Sequence, residues 1–247
     1  MGVLETSGLT KHFGGVTAVD DVDISVPRGE ITSLIGPNGA GKTTLFNMLA
    51  GALEPSSGVV RFRDEEITGL TPEAIARKGV ARSFQITNVF EGLSVLENVC
   101  VAVQARHRGG WNFYQHVDSR DDYTEEALEM LSTVGLASER DRLASSLSHG
   151  DKRSLEIALA LAIGPELLLL DEPAAGMSQV EIEEMLDLID DLAGEYTILF
   201  VEHNMDIVMN ISDTVLVLQN GSIIASGPPS EVQADESVQE AYLGGVA

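Results

Sequence analysis

Apolar residues along this chain follow two rhythms that divide it into regions. Near the start the period is two: Val22, Ile24 and Val26 share one face ahead of a turn at Pro27, Arg28 and Gly29, which predicts antiparallel strand material. "ITSLIG", Ile31 to Gly36, is apolar enough for a buried strand, and the glycine-rich stretch after it gives way to "TTLFNMLAG", a helix pattern stopped by Gly51. "GVVRFR" and "GVARSF" add strand signal. From about Ser94 to Ile163 the spacing becomes helical in "SVLENVCVAVQA", "YTEEALEMLSTVG" and "DKRSLEIALALAI". Strand and helix then alternate: "ELLLLD", a helix opened by Ser178 and Glu181 in an S-x-x-E capping box, "TILFVE", a helix from Asn204, and "TVLVLQNGSIIASG", a hairpin turning at Asn220 and Gly221. Such alternation predicts an α/β fold with a mainly parallel sheet flanked by helices. The expected organisation is one domain over residues 1–247: a core with an N-terminal antiparallel β subdomain in 1–93 and 164–247, and a helical insertion subdomain in 94–163.

Composition narrows the setting. No apolar run reaches the roughly 18 residues of a membrane span, because the richest stretch, "IALALAIGPELLLL", is broken by Gly164, Pro165 and Glu166. The opening "MGVLETSGLTKHFGG" lacks the basic flank and apolar core of a signal peptide, so a cytoplasmic chain is expected. The single cysteine, Cys100, excludes an internal disulfide or a CxxC site and reads as a core residue. Fifteen Lys and Arg against 39 Asp and Glu leave a net charge of −24. Either a basic partner or a very salty interior, where screening falls to about 3 Å at molar salt, would relieve that repulsion. The acidic residues are scattered ("RDEE", "DSRDDYTEE", "EIEEMLDLIDD"), which favours salt adaptation. Nucleic-acid binding is disfavoured, since Lys and Arg supply that affinity. Trp111, Phe113 and Tyr114 read as aromatics that pin a loop to its own domain, with a contact surface as the alternative.

The strongest chemical signal is "GPNGAGKTT", Gly36 to Thr44, which fits G-x-x-x-x-G-K-[ST] between an expected strand and an expected helix. In such a phosphate loop (P-loop), Gly36, Pro37, Asn38, Gly39, Ala40 and Gly41 curl so that backbone N–H groups face phosphate. Lys42 reaches the β and γ oxygens, Thr43 closes the motif and offers a hydroxyl to Mg²⁺, and Thr44 after it counts with the nucleotide-binding residues. "LLLLDEP" puts Asp171 and Glu172 at the C-terminal end of an apolar strand, where open α/β sheets carry ligand chemistry. Asp171 suits the metal's coordination shell, and Glu172 suits a proton acceptor for an attacking water. Paired carboxylates there are as common on a bare surface, and the phosphate loop tips the balance. His203 in "FVEHNMD" can bond a γ-phosphate or the water, and Gln85 at the end of "ARSFQ" matters only if its amide reaches metal or water. "LSHGD" places Ser148, His149 and Gly150 before a helix start, a ready anion site.

The order of phosphate loop, "SFQ", "LSHGD", "LLLLDEP" and "EH", spread over nearly all 247 residues, resembles the ATP-binding cassette (ABC) family of transport ATPases. The resemblance implies a P-loop NTPase core that binds ATP and Mg²⁺. It implies that Phe13 stacks on adenine, that Gln85 senses the metal and couples to the transporter, that His203 is the switch histidine, and that Thr43, Gln85 and Asp171 attend the metal. It further implies that Ser148 and Gly150 of one subunit cap the γ-phosphate held by a second cassette, identical or similar. Two departures stand out: His149 and Asp151 replace the usual Gly and Gln of the turn, and Ser178 replaces the acidic residue of the loop after "DEPAAGM".

The turn, "DEPAAGM", "EHNMDIVMNISD" and the closing "VQEAYLG" are similar to cassettes of the branched-chain and hydrophobic amino acid uptake branch, whose relatives carry urea or short amides. That implies transmembrane permease partners, an extracytoplasmic solute-binding protein, and a peripheral position on the cytoplasmic membrane face. Val89, Phe90, Leu93, Val95 and Leu96 offer an expected groove for a permease helix. A soluble cassette ATPase acting on DNA or ribosomes is the rival reading, against which stand the lack of a second cassette, a coiled-coil insertion and basic patches. A switch GTPase would need an N-K-x-D motif that the chain lacks.

Overall fold

The computed structural model of the protein describes residues 2–83, 89–107 and 119–243. The chain opens with β1 (Gly2–Phe13), β2 (Val16–Val22) and β3 (Ser25–Pro27), all antiparallel to one another where they pair. β4 (Ile31–Ile35) begins a second sheet, and α1 (Lys42–Leu49) follows the glycine-rich loop. β5 (Ser57–Phe62) and β6 (Glu65–Glu66) return to the first sheet, then α2 (Pro72–Lys78) leads into β7 (Val80–Arg82) at the edge of the second. α3 (Val95–His107), α4 (Ser119–Thr133) and α5 (His149–Leu161) pack on one another. β8 (Leu167–Asp171), α6 (Gln179–Leu192), β9 (Thr197–Val201), α7 (Met205–Ile211), β10 (Thr214–Gln219), β11 (Ser222–Gly227), α8 (Pro229–Ala234) and α9 (Glu236–Leu243) complete the chain.

The second sheet runs β11-β10-β4-β9-β8-β7, parallel throughout except for the β10–β11 hairpin. Its inner strands are buried on both faces, and successive side chains sort into two cores. Leu167, Leu169, Leu199 and Leu216 join Leu45 and Phe46 of α1 and the inward face of the antiparallel sheet. Leu168, Leu170, Phe200 and Val217 face the helices on the other side. Arg28 and Arg63, from turns of the antiparallel region, both pair with Glu166 ahead of β8 and tie the two sheets together at the edge.

The structure departs from the sequence pattern at several points. Three short helices, α2, α8 and α9, were not expected from the pattern. "GVARSF" yields only three strand residues, and they join the parallel sheet beside β8. Cys100 is half-buried against the core rather than enclosed in it, with burial raising its thiol pKa. Helix α5 begins at His149 with Ser148 as its N-cap, so His149 and Gly150 lie inside the first turn, because the Ser148 hydroxyl already accepts from the Asp151 N–H at 3.0 Å. Of the apolar residues proposed for a groove, Val89 and Val95 are buried in the core, and Phe90 is the exposed one at 57%. Gln85, Trp111, Phe113 and Tyr114 lie outside the described residues.

Candidate nucleotide-binding site

The site forms where adjacent parallel strands end. β4 runs into Gly36 and the phosphate loop, β9 next to it ends before Glu202 and His203, and β8 beyond that ends at Asp171 with Glu172 following. Asp171 pairs in register with Val201, so the carboxylates and the histidine loop leave the sheet side by side. Such ends are where open α/β sheets gather ligand chemistry.

The loop's shape depends on residues without side chains. A Cβ on Gly36 (φ 152°) would lie 2.0 Å from the Leu218 carbonyl oxygen, and one on Gly41 (φ 108°) would lie 2.3 Å from that of Ala18. The loop is therefore seated against β10 on one side and β2 on the other. The Gly221 N–H donates to Ala40 at 2.8 Å and fixes the hairpin turn to the same loop. Contact with β2 also brings the β1–β2 hairpin to the site's flank, and Phe13 at its tip is 51% exposed, with Lys11 Nζ 5.4 Å from the ring centroid. Asn38, Gly39 and Thr43 are exposed, while Pro37 and Thr44 are partly covered.

Lys42 is buried and donates to the Gly36 carbonyl at 2.6 Å and the Pro37 carbonyl at 3.1 Å. Desolvation lowers its pKa, and the Glu172 carboxylate acts against that shift, which places the two charges in one electrostatic unit. Glu172 adopts φ 48°, unusual for a side chain of its size. Its N–H donates to Val201 at 3.0 Å and its carbonyl accepts from the Ala175 N–H at 3.1 Å. Asp171 is buried, with Oδ2 taken by Arg82 at 2.8 Å. Arg82 also donates to Asn47 Oδ1 at 2.6 Å and lies over the Phe46 ring.

His203 Nδ1 lies 3.9 Å from Glu172 Oε1 and 3.7 Å from Glu202 Oε2. Sequence reasoning singled out neither Arg82 nor Glu202. A charged residue directly after an apolar strand, as Glu202 follows "TILFV", is the signal that could have found the latter.

The turn of "LSHGD" stands on the helical side. His149 Nε2 lies 3.2 Å from the Ala175 carbonyl oxygen, and the Gly150 N–H donates to Glu181 Oε1 at 3.4 Å. Glu181 is also the partner of Ser178 in a complete capping box at the start of α6. Of the residues that depart from the pattern the sequence resembles, His149 and Ser178 therefore lie in one patch where the turn meets the loop after Glu172. The described geometry brings together the phosphate loop, Asp171, Glu172 and His203. Gly150 is tied instead to Glu181 of α6, and the Ser148 hydroxyl to the Asp151 N–H of its own helix.

The residues fit the groups they would hold. A hydroxyl and a carboxylate oxygen are the hard donors magnesium prefers, and that ion commonly takes one or two protein oxygens with the rest from phosphate and water. Lys42, satisfied by two loop carbonyls, and the curled backbone beside it are what phosphate oxygens require.

A glycine-rich loop so built, opening a helix after an inner parallel strand, places the molecule among the phosphate-loop nucleotide-binding α/β proteins. Comparison with known proteins narrows the class. The family profile described as ABC transporter matches residues 19–175, and one described as Branched-chain amino acid ATP-binding cassette transporter matches residues 222–247. The high-affinity branched-chain amino acid transport ATP-binding proteins BraF of Pseudomonas aeruginosa and LivG of Escherichia coli are each 41% identical to it, over 98% of this chain and 98% of theirs. The ADP conformation of MJ1267, an ATP-binding cassette of an ABC transporter, superposes with a TM-score of 0.86 at 32% identity and covers 99% of each chain. The chain belongs to the ABC transporter family as an ATP-binding cassette. Its activity is the ATP hydrolysis that drives transport.

Proposed function

We propose that this cassette powers an importer of branched-chain amino acids, as one of two ATPase subunits on the cytoplasmic face of the membrane, beneath permease subunits fed by a solute-binding protein. The observation that carries the chemical part is the convergence of the phosphate loop, Asp171, Glu172 and His203 on three neighbouring strand ends. The solute follows from the names of the full-length relatives, and nothing in the site favours urea, amides or a soluble role instead. Among the described residues no helix is long and apolar enough to cross a membrane, in keeping with a peripheral subunit.

In this reading Lys42 turns from its loop carbonyls to the phosphate oxygens, and Phe13 packs on the adenine. Thr43 and the Asp171 oxygen left by Arg82 hold magnesium, which when bound neutralises charge on the β and γ phosphates. The resemblance gives Gln85 the role of sensing the metal and the transporter. Glu172 takes the proton of the attacking water, His203 bonds the γ-phosphate, and Ser148 and Gly150 cap the phosphate of the opposite subunit. Closing of the pair around ATP and reopening after hydrolysis move the permeases.

Phe90 is our candidate for the permease contact. The buried Asn98 side chain grips its backbone from both sides, accepting from the Phe90 N–H at 2.8 Å and donating to its carbonyl at 3.1 Å, which leaves the ring outside. Phe90→Asp should weaken capture of co-expressed permease subunits by about tenfold, the scale of losing one aromatic anchor. Equal capture at an unchanged circular dichroism spectrum overturns the assignment.

The acidic surface fits a molar-salt interior. On α6, Glu183, Asp187 and Asp191 are exposed at four-residue spacing with no Lys or Arg in the helix, a like-charge ladder that destabilises until screened. The melting temperature should therefore rise between 0.1 and about 2 M KCl, and a flat or falling curve would remove salt adaptation as the reason for the charge.

A further inference from the structure

Glu202 is 1% exposed and, among the described residues, carries the one carboxylate at the site that no proposed role explains. A carboxylate taken out of water persists only if it is hydrogen-bonded, and the donors here are informative. Oε1 accepts from the Ala174 N–H at 3.3 Å, and Oε2 accepts from the His203 N–H at 3.1 Å. Ala174 is two residues past Glu172, in the loop after β8, whereas His203 stands in the loop after β9. One side chain thus clamps the backbones of both loops.

The same oxygen that holds the His203 backbone lies 3.7 Å from its Nδ1, and Glu172 Oε1 lies 3.9 Å from that atom on the other loop. With Nδ1 turned toward two carboxylates, the opposite edge of the five-membered ring presents Nε2 away from them. At 3.7 and 3.9 Å these are charge contacts, longer than the hydrogen bonds by which carboxylates orient histidines at catalytic and metal sites, and they favour the ring with Nδ1 toward the carboxylates.

We infer that Glu202 is a positioning residue, which braces the His203 loop against the Ala174 backbone and so aims the His203 ring. The inference rests on the reading of His203 as the group that meets the γ-phosphate. Gln at 202 keeps the shape and loses the function: its amide has one acceptor oxygen for two backbone donors, and its NH₂ faces the other N–H.

The test is a double-mutant cycle on the purified protein in molar KCl, with kcat and KM for Mg·ATP and calorimetric affinity for ADP. Glu202→Gln should lower kcat about tenfold, at the low end of the loss seen when such orienting partners are removed, and leave ADP affinity within about twofold. Added to His203→Ala, it should lower kcat by less than about twofold further, because its effect passes through the histidine. Full multiplication of the two losses overturns the inference, as does wild-type kcat in Glu202→Gln beside a crippled His203→Ala. A parallel loss of ADP affinity, or failure of the isosteric amide to fold, makes Glu202 a structural anion and overturns it equally. Wild-type kcat in His203→Ala sinks the histidine reading itself, an outcome recognisable from that single variant.

Discussion

Glu172→Gln should bind Mg·ATP and barely turn it over, with kcat lower by about 10²- to 10⁴-fold, the range for removing a general base. The substitution keeps the shape of the side chain and removes its basicity. The backbone that holds it is fixed independently, by the Glu172 N–H on Val201 and the Ala175 N–H on Glu172. Lys42 retains both of its loop carbonyls, so nucleotide affinity is expected to stay within about twofold even though the Glu172 charge that favoured the ammonium is gone. Retained turnover would move the base to another residue.

A cassette that holds ATP without hydrolysing it should also accumulate as a closed pair. In molar KCl with Mg·ATP, the light-scattering mass of Glu172→Gln should double, and Ser148→Arg in the same chain should abolish the doubling. In the structure Ser148 spends its hydroxyl on the Asp151 N–H, and the Gly150 N–H faces Glu181. Closure on a phosphate must exchange the second of these partners, and a bulky cation at the positive end of α5 opposes it by shape and by charge. A mass fixed at one chain would mean that an unlike cassette is the required partner, or that phosphate is not capped from across an interface.

Much of this arrangement was legible because it is local. The apolar runs around Leu34, Leu168 and Leu199 belong to strands buried on both faces, and the phosphate loop, the Ser178 capping box and the Asn220–Gly221 turn each carry their instruction within a few residues. α2 escaped notice for a different reason: its seven residues bury only Ile75, too little for a period, although Thr71 caps it, Pro72 opens it and Gly79 ends it. Phe90 and its neighbour Val89 are alike as apolar residues, and only the Asn98 grip distinguishes the one left outside. The site's supporting contacts are long-range. Arg82 meets Asp171 across 89 positions and Ala174 meets Glu202 across 28, pairings that exist only once β7, β8 and β9 stand side by side. His149 and Ser178, two of the three departing residues, likewise gained a meaning only when the fold put them in one patch.

Gly36→Ala should cost nucleotide affinity at least about 100-fold, and the comparison with Gly39→Ala shows why. At Gly36 an added methyl group would stand 2.0 Å from the Leu218 carbonyl oxygen, a backbone atom of an inner strand that has nowhere to go, so the loop must move instead. Moving it displaces the Gly36 carbonyl that anchors Lys42 and unseats the N–H groups meant for phosphate. Gly39 also has a positive φ, 80°, yet among the described residues nothing beyond its own chain neighbours lies within 4 Å of its absent Cβ. Alanine there bears only the left-handed strain of about 1–2 kcal/mol, which is roughly a tenfold loss. Calorimetric titration of ADP into both variants, each checked for an unchanged circular dichroism spectrum, reads the difference directly. If Gly39→Ala loses as much affinity as Gly36→Ala, the seating of the loop against β10 is not what shapes the phosphate site, and the conformational freedom of glycine alone accounts for the motif.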